Sequence, residues 1–218
     1  MRAAIVTGYQ VPPTLGERPT LHVAEGMALV ELRGAALNPA DLAIASGSFP
    51  AGSPPLPYVP GIEGVGSVVE SARFATGTRV WASGHGLGVT TNGTFSERFS
   101  ASDNALVEVP ADADDLVVAA VGVAGLAGWL PLAWLAPVRA GETVLVLGAT
   151  GNVGGVAIQA AKLLGAGRVV AVGRDTARLA QLGELGADES VALGGDDFRD
   201  RLAAAVAGAP PALVLDAL

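Results

Sequence analysis

Three glycines at turn spacing could bind a phosphate group. Gly148, Gly151 and Gly154 follow an apolar run, 144–147, and open a stretch whose apolar residues recur at helical spacing. Glycine lets the backbone turn sharply and approach a ligand closely, and a helix that begins there offers N–H groups and the positive end of its dipole. A diphosphate fits such a turn. The predicted binding residues are Gly148, Thr150, Gly151, Asn152, Val153 and Gly154.

The motif departs from G-x-G-x-x-G, because Ala149 occupies the first position. Its context makes it more specific than glycines alone. A strand precedes it, a helix follows it, and a second apolar run, 169–172, ends about 20 residues later. A glycine-rich turn without a ligand is the alternative interpretation. The context favours a βαβ unit that binds a dinucleotide.

The residues after the second run discriminate between two dinucleotides. An acidic side chain there would accept a hydrogen bond from a ribose 2′-hydroxyl and favour NAD. Here the run ends in Gly173, Arg174 and Asp175, and a guanidinium group suits the oxygens of a 2′-phosphate. The sequence therefore predicts NADPH as cofactor, bound in part by Arg174. Alternatively, Arg174 is a solvated turn residue. Asp175 is predicted to cap a helix that begins at Thr176.

Composition excludes several classes of protein. The 218 residues are half hydrophobic, as in a globular chain, and the formal net charge of −8 argues against a nucleic-acid or anionic-membrane surface. The chain has no cysteine, and His22 and His85 are its only histidines. No metal site of the His/Cys kind is therefore predicted. We expect a small-molecule substrate.

One segment resembles a membrane span in composition. Residues 116–138 carry no charge and are long enough to cross a bilayer. Pro131 interrupts this segment and several glycines weaken its helix propensity, so two short buried helices are predicted instead. The first residues pass directly into a predicted strand, which argues against a signal peptide. We expect a cytoplasmic protein.

The elements that would position these residues fall into two groups. Six apolar or alternating runs separated by glycine and proline clusters predict a β-rich first part: 3–6, 28–32, 65–69, 79–81, 95–99 and 105–109. Beyond Pro110, strands at 144–147, 169–172, 190–193 and 212–215 alternate with helices, which predicts a doubly wound parallel sheet. The predicted domains are 1–112 and 113–218.

The chain resembles the medium-chain dehydrogenase/reductase superfamily, in its zinc-independent quinone oxidoreductase branch. Besides the glycine turn, the resemblance rests on motifs whose order matches over the whole chain: Asn38-Pro39-Ala40-Asp41, Pro60-Gly61-Ile62-Glu63-Gly64-Val65-Gly66, the segment 93–99 and the segment 122–129. It implies a GroES-like β-barrel domain before a Rossmann domain that binds NAD(P). Zinc-dependent members carry a cysteine just after the position of Asn38 and a histidine where this chain has Ile62.

The resemblance also implies an activity. A hydride would pass from NADPH to a quinone or an enone-type carbonyl compound, and Asn38 is the candidate active-site residue. Its amide would donate to the substrate carbonyl or hold the nicotinamide ribose. Alternatively, Asn38 bonds its own turn. Two other functions stay open: a non-catalytic nucleotide-binding remnant, and an enoyl-thioester reductase.

The last predicted strand ends close to the end of the chain, whereas the sheets of relatives continue further. We therefore expect an incomplete Rossmann domain, either because the sequence is a fragment, which we favour, or because a partner completes the sheet. Relatives commonly form homodimers, and a full-length chain would be expected to do the same.

Overall fold

The computed structural model describes residues 1–19 and 23–217. By its internal contacts the chain divides into two compact units, Met1–Gly122 and Val123–Leu218. His22 lies outside the described residues.

The division between the units lies further along the chain than the predicted boundary at 112/113. Asp115 accounts for this difference, because its carboxylate pairs with both Arg33 and Arg79 of the first unit. Arg79 also donates hydrogen bonds to the backbone carbonyls of Pro110 and Ala113. The segment between the two parts is therefore fastened to the first unit, although its composition resembles the second.

The first unit is built from antiparallel strands. The strands β1 (Arg2–Ile5) and β2 (Thr14–Glu17) form one pair. The other five form a sheet with the order β6-β3-β4-β5-β7: β3 (Met27–Gly34), β4 (Glu63–Ser71), β5 (Arg79–Ser83), β6 (Arg98–Ser102) and β7 (Leu106–Glu108). A short helix, α1 (Pro39–Ala45), lies between β3 and β4 in the chain.

Alternating burial explains the strands of this unit. In β5 the buried residues are Val80 and Ala82, and in β6 they are Phe99 and Ala101. Since successive side chains of a strand point to opposite faces, one face of each strand joins the core. The predicted strand 95–99 begins late, at Arg98, because the preceding residues hydrogen-bond to β1 instead.

The second unit contains one parallel sheet with the order β10-β9-β8-β11. Its strands are β8 (Thr143–Leu147), β9 (Arg168–Gly173), β10 (Glu189–Ala192) and β11 (Leu213–Asp216). Its helices include α3 (Asn152–Leu163), α4 (Thr176–Leu179) and α5 (Phe198–Val206). The two central strands are almost wholly buried, as expected of strands covered on both faces. An antiparallel β-rich part followed by a parallel sheet whose strands alternate with helices is the arrangement that the sequence predicts.

The uncharged segment differs from its prediction. Helix α2 (Asp115–Leu130) is broken at Gly122, whose φ of −11° and ψ of −108° are not helical, and a π-helical turn, Pro131–Leu135, follows. The predicted burial is wrong, since Leu116 is 68% and Trp134 75% exposed. By length and composition alone, Asp115–Leu135 could cross a membrane, a test that the core helix of a soluble protein also passes.

Candidate functional site

The glycine turn joins β8 to α3. Gly148 directly follows β8 and has a φ of +72°, a left-handed conformation that favours glycine. Its carbonyl accepts the N–H of Gly151 at 3.0 Å, and the N–H of Ala149 donates to the carbonyl of Val172 at 2.9 Å. These bonds hold the turn against the end of the neighbouring strand.

Gly154 and Gly151 are required for different reasons. A Cβ atom at Gly154 would lie 2.5 Å from both the Cα of Ala149 and the carbonyl oxygen of Gly148. Glycine therefore lets helix α3 pack closely against the turn. A Cβ at Gly151 would meet only that carbonyl oxygen, at 3.4 Å. Space beside Gly151 is thus open, and Gly151 is the glycine that leaves room for a ligand.

The first turn of α3 offers backbone donors. Gly151 is the N-cap and has no side chain with which to cap the helix. After the N–H of Gly151, the next one that donates back along the chain is that of Gly155, which bonds the carbonyl of Gly151 at 2.9 Å. Within residues 1–19 and 23–217, no hydrogen bond engages the N–H groups of Asn152, Val153 and Gly154. This is the arrangement that binds anions at helix N-termini.

An open groove of about 590 Å³ runs along the carboxyl ends of the parallel strands. Four of the predicted binding residues line it: Gly148, Thr150, Gly151 and Arg174. Asn152, Val153 and Gly154 belong to the adjacent helical turn and do not line it. Four further lining residues were not predicted: Gly173, Arg178, Leu193 and Ala217. The groove lies where the sheet order changes direction, beside β8, which is where ligands of such sheets bind.

Two arginines stand at this groove. Arg174 is exposed, and in the described part of the chain its guanidinium group has no hydrogen bond or ion pair. Arg178, which sequence reasoning missed, donates to the carbonyl of Thr150 at 3.2 Å and lies 3.5 Å from the carboxylate of Asp175. The predicted cap is present, because Asp175 accepts the N–H of Arg178 at 3.1 Å. Arg178 follows the capping residue Asp175 by about one helical turn, and this position is the signal by which the sequence could have indicated it.

Asn38 belongs to a buried polar cluster in the first unit. Its Nδ2 donates to Oε1 of Glu63 at 2.8 Å, and the indole N–H of Trp81 donates to Oε2 of the same carboxylate at 2.9 Å. Glu63 is only 1% exposed. The amide of Asn38 therefore bonds Glu63 outside its own turn, and Asn38 also forms a capping box with Asp41 within the turn.

Asp41 links this cluster to α1. Its carboxylate accepts the N–H groups of Asn38 at 2.8 Å and Ile62 at 3.0 Å, so it ties the start of the helix to the strand region that follows. Burial raises the pKa of Asp41, and the neighbouring Glu63 adds to the increase, although the two backbone donors oppose it. Asp41 therefore stabilises the start of α1.

Two other side chains that could transfer a proton, Tyr58 and His85, differ in burial. Tyr58 is 1% exposed and packs in a hydrophobic cluster of the first unit. Its hydroxyl has no hydrogen-bond partner among the described residues, and burial, followed by Tyr9 and Asp41, raises its pKa. His85 is exposed. Among the described residues, no three His, Cys, Asp or Glu side chains come together in a possible metal site.

Comparison with known proteins confirms the predicted fold class, a GroES-like domain followed by a Rossmann-type parallel sheet. The family model of the alcohol dehydrogenase GroES-like domain matches residues 24–111, and that of the zinc-binding dehydrogenases matches residues 152–218. A quinone oxidoreductase of Lama guanicoe is 33% identical over 170 residues, covering 74% of this chain and 49% of that protein. The chain thus spans about half the length of the curated relatives it matches.

Solved structures resemble the chain over nearly its whole length. The quinone oxidoreductase of Thermus thermophilus, whose complex with NADPH is also described, has a TM-score of 0.80 at 29% identity, covering 98% of this chain and 64% of that one. An NAD-dependent alcohol dehydrogenase has a TM-score of 0.88 at 28% identity, covering 98% of this chain and 70% of that one. These two similar structures differ in the cofactor that their names report.

Proposed function

Because the chain belongs to the medium-chain dehydrogenase/reductase superfamily, as a quinone oxidoreductase-like member, we propose that it is part of a zinc-independent, NADPH-dependent oxidoreductase. Its substrate would be a quinone or an enone-type carbonyl compound. NADPH, when bound, supplies the hydride. The groove at the glycine turn, with two arginines at its rim, is the observation that carries the proposal.

The turn suits the diphosphate of a dinucleotide. Gly151 leaves space at the groove, and the N–H groups of the first helical turn are available beside it. Each N–H that reaches a phosphate oxygen makes a charge-assisted hydrogen bond, and the helix dipole adds to the attraction. The residues of the turn would bind and orient the cofactor through backbone atoms.

The arginines favour the 2′-phosphate that distinguishes NADPH from NADH. Arg174 has no partner within the described residues, so its guanidinium group is available to an anion. Arg178 is anchored at the same groove by the carbonyl of Thr150. Asp175 would be the acceptor for a free 2′-hydroxyl, but its carboxylate caps α4 and faces Arg178. A site with two cations and an engaged carboxylate suits a phosphate better than a hydroxyl.

The chain itself supports a reaction without zinc. It has no cysteine, although one of its two matching family models is named for zinc binding. Asn38 is the residue that we propose to contact the substrate carbonyl or the nicotinamide ribose. Its side chain is partly exposed, unlike the Glu63 that holds it. We place the protein in the cytoplasm as part of the same proposal.

A titration of the purified chain with NADPH and NADH tests the cofactor. The variant Arg174→Ala should raise the Kd for NADPH about tenfold or more, because it removes a hydrogen bond to a charged group worth roughly 1.5–3 kcal/mol. The Kd for NADH should change less than about twofold, since NADH carries no 2′-phosphate. Arg199→Ala is the matched control, because Arg199 is also exposed in the second unit but does not line the groove.

Equal losses for both nucleotides in Arg174→Ala would contradict the assignment of NADPH. A folded wild-type chain that binds neither nucleotide would contradict the whole proposal. Turnover of a quinone or an enone by the NADPH-bound chain then tests the reaction. Nucleotide binding without turnover of either would favour a non-catalytic nucleotide-binding protein.

A further inference from the structure

The carboxylate of Glu63 is held from several sides in the first unit. Its two oxygens accept hydrogen bonds from Asn38 and Trp81, and its backbone carbonyl accepts the hydroxyl of Thr94 at 2.6 Å. At Gly122 a Cβ atom would overlap the Oε2 atom of Glu63 and would lie 2.7 Å from the Trp81 indole nitrogen. The helix break at Gly122 therefore brings backbone directly against the carboxylate.

A carboxylate in this position determines the orientation of Asn38. Ionised carboxylate oxygens only accept hydrogen bonds, whereas a side-chain amide has a donor nitrogen and an acceptor oxygen. The atom of Asn38 that faces Glu63 at 2.8 Å is accordingly the nitrogen. A reversed amide would place two acceptor oxygens against each other in a buried site, which is strongly unfavourable.

We infer that Glu63 is a positioning residue, which acts through Asn38 and sets which atom of that amide faces the reacting groups. This inference rests on the proposed function, in which Asn38 contacts the substrate carbonyl or the nicotinamide ribose. Burying a carboxylate is costly, and a fixed amide orientation is a specific advantage that offsets the cost. Trp81 supports the arrangement by holding the second oxygen.

Glu63→Gln tests the inference with almost no change in shape. Glutamine presents one acceptor and one donor where glutamate presents two acceptors. The indole N–H of Trp81 can only donate, so the glutamine oxygen should turn to Trp81 and the glutamine nitrogen to Asn38. The amide of Asn38 should then reverse. The nitrogen donor and the oxygen acceptor of the Asn38 amide would thereby exchange positions.

Two measurements report the reversal. In the NMR spectrum of wild type, the Nδ2 protons of Asn38 should exchange slowly and one should be shifted by the carboxylate, and both features should be lost in Glu63→Gln. Turnover of a quinone by the NADPH-bound chain should show kcat reduced about tenfold or more, comparable to removal of an oriented donor. The KM for the quinone and the Kd for NADPH should stay within about twofold, since the variant changes only orientation at Asn38.

Thr94→Val is the matched control, because it removes a buried hydrogen bond to Glu63 without touching the carboxylate. It should lower stability and leave kcat and the Asn38 signals unchanged. If Glu63→Gln does not fold, Trp81→Phe carries the test: the loosened carboxylate should speed exchange at Asn38 and lower kcat about two- to tenfold, as for one neutral hydrogen bond.

Unchanged Asn38 signals in folded Glu63→Gln would overturn the inference, and so would a reversed amide with normal kcat. Equal loss of kcat in Glu63→Gln and Thr94→Val would reduce Glu63 to a structural role. A wild type that binds no NADPH contradicts the proposed function instead. In a wild type without turnover, the NMR comparison alone decides whether Glu63 orients the amide.

Discussion

Replacing Gly151 and Gly154 by alanine should separate ligand binding from folding within one turn. At Gly154 the new methyl group would lie 2.5 Å from two backbone atoms, Ala149 Cα and Gly148 O. Favourable carbon contacts are about 3.5–4.0 Å, so α3 would have to move away from the turn. Such overpacking costs about 1–3 kcal/mol, against a gain of up to about 1 kcal/mol in helix propensity. We expect a net loss of roughly 2 kcal/mol for Gly154→Ala, taking the upper part of that range because the contacts are to backbone.

Gly151→Ala should have the opposite profile. Its methyl group would meet only one atom, at 3.4 Å, and Gly151 has an ordinary extended φ of −89°. Alanine is a poorer N-cap than glycine, so a stability loss below about 1 kcal/mol is expected. The methyl group would, however, occupy space at the groove. Displacing a single charge-assisted hydrogen bond from the diphosphate should weaken NADPH binding about tenfold or more.

Thermal unfolding and fluorescence titration with NADPH decide the comparison. A loss of about 2 kcal/mol should lower the Tm of Gly154→Ala by roughly 4–8 °C, whereas Gly151→Ala should stay within about 4 °C of wild type. Gly155→Ala is the control, since its Cβ would lie 3.8 Å from its nearest neighbour. It should be as stable as wild type or more stable and should bind NADPH normally. Normal NADPH affinity in folded Gly151→Ala would refute the assignment of the turn to the diphosphate.

Two further predictions concern carboxylates of the second unit. Asp175→Asn keeps a capping side chain, so the Kd for NADH should be unchanged and that for NADPH equal or lower; a tenfold loss of NADH affinity would instead mean that Asp175 binds the ribose. Burial raises the pKa of Asp188, but hydrogen bonds from Lys162 and the N–H of Val169 outweigh it and hold the pKa below its ordinary 3.8. A carboxyl group whose pKa is lowered by folding stabilises the fold at pH values above its pKa in the unfolded chain. This stabilisation is lost as the pH falls through its pKa in the folded chain. Asp188→Asn should therefore destabilise the chain near neutral pH and have little effect in acid. Denaturant titrations at the two pH values measure the free energy of unfolding, and an equal loss at both would contradict the ion pair.

The parts of the fold that the sequence predicts are those set by neighbouring residues. The buried strands of the second unit are recognisable because apolar residues, many of them β-branched, run without interruption, and the turn at Gly148 because its glycines follow such a run. Asp175 was predicted as a cap because a capping side chain bonds only a few residues away. In each case the information lies within about one helical turn or strand.

The cluster around Glu63 was not predictable in the same way. Its donors, Asn38 and Trp81, are 25 and 18 residues distant in the chain, and the pairing of β4 with β5 brings Trp81 to Glu63. The break in α2 is a related case. Several glycines weaken that helix, but Gly122 is the one that breaks, and it is the one that lies against the buried carboxylate. Tertiary contacts select among residues that are locally equivalent.

The arginines at the groove and the cluster around Asn38 therefore differ in how readily they tolerate substitution. The two arginines at the groove are exposed, and Arg174 has no partner in the described structure whose loss would disturb the fold. A change there should alter the choice of nucleotide at little cost in stability. Around Asn38, the amide nitrogen and both carboxylate oxygens of Glu63 are hydrogen-bonded, so a change in chemistry also leaves a hydrogen bond unmade. Preference between NADPH and NADH should accordingly respond to single substitutions, whereas a new role for Asn38 requires compensating changes at Glu63 and Trp81.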